Sequence, residues 1–422
     1  MRVVIVLAVV LVSCVAQPAT TQDPTSTSVR GNGGERALYL TDAMNGSNLK
    51  AIDGIHLGDL SSEPLLPIGQ AACATCALVA SSNGGTLAVV HYSSSGVPEI
   101  GVYDLRARTL RARPNPEVPL IVDALSDDGS RIYARNWPPT DITAERLVLD
   151  AATGKVVVRE PAIDVGGELI TWISRVDERR LYALLSPADR NATGPRQVEV
   201  AAWDLRTGNV LWRRDVPSLL AGGWGTVGAL SDRRSRLVPG FAISPDGGRL
   251  AVVRAFDCCV PGGMLWLADS SNGEILSQRP YVRDASVFDH LFPAAIAAAK
   301  DENSVTVNAT FSRDGQLLYV FAESWQYDGR AEPYQYLGMT AVDVNTSRIV
   351  GSDIKMEPWW YQNHISWVMP STDGRWVYVF LERTGNAVPR GFVLRRVDAR
   401  TLSVLRERRF DSVRHSFVLA AP

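Results

Sequence analysis

Short apolar runs rich in β-branched residues alternate with compact polar turns along most of the chain. The stretch Phe241–Ile275 shows the unit most clearly. Phe241–Ser244 reads as a short strand, Pro245–Gly248 as a tight turn, and Arg249–Arg254 and Met264–Ala268 as two further strands. A second turn, Asp269–Gly273, leads into a fourth strand at Glu274. Pro245 presets φ, Asp246 can bond its own backbone and Gly247 accepts a positive φ, so the turns have a mechanism. The apolar runs are too short for helices.

One such unit cannot bury both of its faces, and the pattern recurs. The first turn returns at Ser81–Val89, Ser126–Tyr133, Ser312–Val320 and Ser371–Val379, with a degraded copy at Arg175–Ala183. The second, an apolar strand ending in Asp, occurs at Asp42, Asp104, Asp150, Asp204, Asp269, Asp343 and Asp398. These copies lie further apart than the ~40–45 residues of a WD-type blade, which predicts inserted loops. The expected fold is all-β: a seven-bladed β-propeller of four-stranded antiparallel blades. Asp42 has no first turn before it, and Ser412–Ala420 follows the last fourth strand. Joining these two ends closes the ring and removes an exposed sheet edge.

The Ser-Pro-Asp-Gly-x-x-Leu-Ala-Val run followed by an Asp-x-x-(Thr/Asn)-Gly turn resembles the YVTN-type bacterial β-propellers and their WD-repeat-like relatives, over residues 36–420. Val200–Trp212 also resembles a repeat of quinoprotein dehydrogenase propellers. Both likenesses imply a fold more strongly than a chemistry.

Three segments are expected: a signal peptide at 1–13, a lipidated Cys14 with a flexible tether at 14–35, and the propeller at 36–422. Val3–Val12 is apolar but too short to span a bilayer. Leu11-Val12-Ser13-Cys14 resembles the bacterial lipobox, whose Cys becomes the lipidated N-terminus. Residues 15–35 are rich in Thr, Ser, Pro and Gly without apolar periodicity, as in a tether. The implied address is the bacterial cell envelope, outside the cytoplasm and anchored to a membrane.

Charge is balanced, with 43 basic against 45 acidic residues, which gives no case for nucleic acid. Four cysteines remain beyond Cys14, and pairing within Cys73/Cys76 and within Cys258/Cys259 is the first expectation. Zinc binding by the four thiolates and a redox-active Cys73-x-x-Cys76 stand as alternatives. No cofactor or metal set is expected. Gly223–Gly228 matches Gly-x-Gly-x-x-Gly but has no βαβ unit around it.

The long connections gather two aromatic groups. Trp325, Tyr327, Tyr334 and Tyr336 form one; Glu357, Trp359, Trp360, Tyr361 and His364 form the other, with Trp224 in a third loop. Such a face suits a small-molecule ligand, glycans included, or a protein partner; alternatively the rings seal the end of the propeller. The expected role is a ligand- or protein-binding scaffold module. The alternative is a propeller enzyme, either a quinoprotein-like oxidoreductase or a carbohydrate-active hydrolase or lyase.

Overall fold

The computed structural model describes residues 36–40, 49–57, 60–71, 76–81, 85–92, 97–126, 128–136, 145–175, 179–186, 196–221, 237–255, 262–282, 304–325, 334–353, 363–371, 373–383, 391–410 and 417–420. They belong to one compact unit spanning Gly34–Pro422. Residues 1–33 lie outside the described residues, and with them the expected signal peptide, Cys14 and most of the tether.

The fold is an all-β propeller of four-stranded antiparallel blades. In chain order, β1 (Arg36–Leu40), β2 (Leu49–His56) and β3 (Ser61–Ala71) come first. One blade is β4 (Cys76–Ala80), β5 (Thr86–Tyr92), β6 (Pro98–Asp104) and β7 (Thr109–Ala112). The next is β8 (Leu120–Leu125), β9 (Arg131–Asn136), β10 (Arg146–Asp150) and β11 (Val156–Glu160). It is followed by β12 (Glu168–Arg175), β13 (Arg180–Ser186), β14 (Arg196–Asp204) and β15 (Val210–Ala221). A two-residue strand, β16 (Leu237–Val238), precedes the blade of β17 (Gly240–Ile243), β18 (Arg249–Ala255), β19 (Gly262–Asp269) and β20 (Ile275–Val282). Then come β21 (Ser304–Phe311), β22 (Leu317–Trp325), β23 (Tyr334–Asp343) and β24 (Ile349–Asp353), to which β16 adds a parallel fifth strand beside β21. The last full blade is β25 (Asn363–Pro370), β26 (Trp376–Arg383), β27 (Gly391–Asp398) and β28 (Val404–Phe410).

These contiguous blades number six, not seven, and each carries one of the Asp turns from Asp104 to Asp398. The remaining strand, β29 (Phe417–Ala420), pairs antiparallel with β1, so the sheet β29-β1-β2-β3 draws on both ends of the chain. The turn between third and fourth strands, expected at Asp42, is therefore misplaced. Asp42 follows the second strand of that sheet, and the turn between its last two strands is Leu57–Leu60, with Leu60 at φ 57°. β3 carries Pro64 and Pro67, as an outermost strand with one free edge tolerates.

The two repeated turns hold each blade in shape. Ser126 donates to Asp128 at 2.6 Å while its oxygen accepts the Arg131 amide at 2.9 Å. Ser244, Ser312 and Ser371 repeat this with Asp246, Asp314 and Asp373. In the degraded copy, Arg179 takes up a positive φ of 54° without glycine. At the second turn, Asp104 accepts the amides of Arg106 and Ala107 at 2.9 and 2.8 Å, and Asp398 does the same for Arg400 and Thr401.

Apolar clusters fill the space between neighbouring blades. One joins Tyr182, Leu184, Val200 and Trp212 to Phe241, Leu250, Val252 and Trp266. The second turn of a blade also meets the outer strand of the blade before it. Gly273, at φ 74°, sits so close to Trp212 that a Cβ there would fall 2.5 Å from the ring. Glycine is thus needed at that turn for conformation and for space.

The turn carboxylates make stability depend on acid. Hydrogen bonds from Ser126 and then from Ser130 hold Asp128 at about 2, below its ordinary value of 3.8. Asp246 is lowered by Ser244, Asp150 by Thr153 and Asp269 by Ser271. A folded-state pKa below the unfolded one stabilises fully above the unfolded value and is lost as pH falls through the folded value. The thermal midpoint is therefore expected to hold down to about pH 5 and then to drop between about pH 4 and 2. Scanning calorimetry across that range checks it, and Asp128→Asn should make the drop shallower. A midpoint flat down to about pH 2 would contradict the assignment.

Candidate functional site: a charged recess between two blades

Four residues before each turn Asp, the third strand of a blade places a residue directly opposite one on the second strand. In five blades both members are apolar and buried: Val90/Ile100, Leu184/Val200, Val253/Leu265, Phe321/Met339 and Phe380/Leu394. In the blade β8–β11 the pair is Arg135/Arg146. Like charges facing each other across a ladder oppose folding, so this substitution of charge for core has a cost.

The surroundings answer that charge in part. Asp123 is the extra residue of a β-bulge in β8, between Val122 and Ala124. A bulge re-aims a side chain, and here the carboxylate takes a two-pronged bond from Arg135, with Nε and Nη2 each 2.8 Å from an oxygen. On the other side Glu160 stands opposite Arg146 in the ladder and forms an ion pair with Arg179 of the next blade. Arg146 is 8% exposed and Glu160 3%. Burial lowers the Arg146 pKa to about 10, with Asp123 opposing that shift and Arg135 adding to it. Arg146 therefore stays charged at neutral pH.

Aromatic rings complete the walls. The Arg135 guanidinium lies 5.8 Å from the ring centre of Trp172 on β12, and that of Arg179 lies 5.7 Å from the ring of Tyr133. Ala134, Leu147 and Leu205 add apolar surface. The recess is small, with about 20 Å³ of space for a water-sized sphere, and Trp172, 38% exposed, stands at its edge. Three guanidiniums and two carboxylates thus meet at this recess.

No family model and no curated protein sequence matches the chain. Among solved structures, the Pseudomonas aeruginosa periplasmic gluconolactonase PpgL is 17% identical, covers 92% of this chain and 99% of its own, and gives a TM-score of 0.49. TolB from Acinetobacter baumannii is 11% identical over 92% of this chain and 66% of its own, with a TM-score of 0.37. Hydrazine synthase from Kuenenia stuttgartiensis is 14% identical over 72% and 74%, with a TM-score of 0.40. No activity passes to this chain at such identities.

The aromatic residues expected on long loops divide differently. Trp325 ends β22, Tyr334 opens β23 and faces it across the ladder, and Tyr336 stands opposite Glu323. These three belong to an extended hairpin, not to a long connection as expected from sequence, because the Ser, Trp and Tyr residues there continue the strand pattern. His364 is on β25, opposite Glu382, and not in a loop. Trp224, Tyr327, Glu357, Trp359, Trp360 and Tyr361 lie outside the described residues. So do Cys73, Cys258 and Cys259, while Cys76 opens β4. The quinoprotein-like stretch contributes Val200, Ala202, Trp203 and Trp212 to the buried core. Among the described residues no group of three His, Cys, Asp or Glu gathers as a metal set.

Sequence reading missed the recess. Its one visible signal is Arg146, the only residue four places before one of the six repeat-turn Asp residues, Asp104 to Asp398, that is not apolar.

Proposed function

We propose that this chain is an extracytoplasmic propeller, tethered to a membrane through Cys14, that acts as a binding module. The sheet shared by the two ends serves as a seventh blade in this reading, and the repeats are of YVTN and WD-like type. The observation that carries the binding role is the Arg135/Arg146 pair: charge placed where five other blades have buried apolar pairs. A cost of that kind, without a gain in packing, is expected at a functional site. The tether rests on the Leu11–Cys14 pattern and the unpatterned residues after it.

The binding role is tested by thermal shift of the full chain against organic acids, amines and neutral sugars. Stabilisation by at least one class, lost in Trp172→Ala, is expected. Shifts that survive Trp172→Ala, or none at all, would overturn the recess as the site. For the tether, labelled fatty acid should enter the wild type, and Cys14→Ser should move the chain from the membrane pellet to the supernatant. An unlabelled wild type would contradict it.

A further inference from the structure

We infer that the end of the propeller carrying the second turns docks on an anionic lipid surface through the arginines of two blades. This rests on the reading of the chain as tethered to a membrane. In residues 104–113, the second turn and outermost strand of the blade β4–β7, Arg106, Arg108, Arg111 and Arg113 stand against a single acid, Asp104, and all four arginines are exposed. The matching segment of the last blade, residues 398–410, sets Arg400, Arg406, Arg408 and Arg409 against Asp398 and Glu407. Elsewhere the same segment is balanced (150–160), nearly balanced (204–215) or richer in acid than base (269–282 and 343–353). The sheet β29-β1-β2-β3 lies between the two basic blades. Its β29 neighbours β4, and Arg408 donates to the Leu60 carbonyl in its last turn. Its outer strand β3 brings one acid, Glu63, which leaves the arc basic.

Two observations point to a membrane and not to a dissolved polyanion. Aliphatic side chains are interleaved with the arginines: Leu110, Val404 and Leu405 are exposed near the starts of the two outermost strands. That mixture suits the headgroup region of a bilayer, where guanidiniums meet phosphates and carbon meets acyl chains. The segment before β1 also joins the propeller at this end, since Arg36 stands opposite His56, the residue just before the Leu57–Leu60 turn. Residues 14–35 reach ~75 Å when fully extended, enough to hold the propeller at a membrane without fixing which face meets it. The arginines supply that orientation. Arg108 shows the charge kept at a cost. It is exposed yet holds φ 55°, a conformation that disfavours side chains, where three other blades place Gly154, Gly208 and Gly273 at φ 78°, 73° and 74°.

Vesicle co-sedimentation of the full chain carrying Cys14→Ser tests this. No acyl anchor then contributes, and residues 1–13 are the same in every arm. Binding should be about tenfold or more stronger to phosphatidylcholine vesicles with about a quarter phosphatidylglycerol than to phosphatidylcholine alone, and should fall away in about 0.5 M salt. Arg106→Gln with Arg108→Gly should weaken it about tenfold or more, as loss of two cations near such a surface implies. Glycine suits the φ at 108, so the fold is kept. Arg206→Gln with Arg279→Gln, which removes two exposed arginines from other blades, should leave binding unchanged. Equal binding to both kinds of vesicle would overturn the charge argument, and equal weakening by the two double variants would overturn the location. Binding of soluble heparin with none to vesicles would overturn the membrane as the partner. These results are read apart from fatty-acid labelling of Cys14, so failure of the arc and failure of the tether show separately.

Discussion

Trp266→Ala should cost about 3–5 kcal/mol of folding stability. Trp266 is 1% exposed and lies in the cluster that joins the blade β12–β15 to β17–β20. That cluster also holds Tyr182, Leu184, Val200 and Trp212 from one blade and Leu250 and Val252 from its own. Its Nε1 donates to the Pro217 carbonyl at 3.0 Å, which ties the outer strand of the preceding blade to it. Truncation removes one of the two tryptophans of that cluster and leaves a cavity. Pro217 is exposed, so water takes over its carbonyl and the loss is chiefly packing. The stability of a typical domain is only about 5–15 kcal/mol, so the change should be plain in a denaturant titration. A loss under about 1 kcal/mol would mean that this cluster does not hold the two blades together.

Glu160→Ala should cost about 3 kcal/mol, for an electrostatic reason. Glu160 is 3% exposed, faces Arg146 across the ladder and pairs with Arg179. Without it Arg146 and Arg179 lose the carboxylate that faces them. Arg179, with about a third of its side chain exposed, can turn toward water; Arg146 is buried and cannot. That escape keeps the cost at the lower end of the range for breaking a buried pair. Glu160→Gln, which keeps the shape and one acceptor, should lose less. Equal stability of wild type and Glu160→Ala, within ~0.5 kcal/mol, would remove Glu160 from the network.

The two kinds of turn were legible because they are local. Ser126, Asp128 and Gly129 build the first within four residues, and Asp269 builds the second by bonding amides two residues on. Local legibility also misled at Asp42, where an apolar run ending in Asp imitates the second turn. What decides its position is that β29 takes the first place in the sheet, a pairing of residues almost four hundred apart. The hairpin of Trp325 and Tyr334 imitates a loop because polar and aromatic residues crowd the ends of its two strands. The recess draws on two blades and depends on a bulge that turns Asp123 toward Arg135, and neither the bulge nor the neighbour's Trp172 is marked in the sequence. Only Arg146, set against its apolar counterparts Ile100, Val200, Leu265, Met339 and Leu394, breaks a pattern that the chain itself displays.

The central claim is that Arg146 is present for a ligand and not for the fold. The most direct measurement is the denaturation midpoint of Arg146→Met beside wild type, each with and without the compound class that stabilises the wild type in the thermal-shift screen. The substitution removes one buried charge and fills the site with a side chain of similar length. The variant should be as stable as wild type or more so, since apolar replacement of buried charge is often neutral or stabilising, and that compound should no longer raise its midpoint. A loss of about 3 kcal/mol, with no compound raising either midpoint, would show that Arg146 holds the blades together and that the recess is structural.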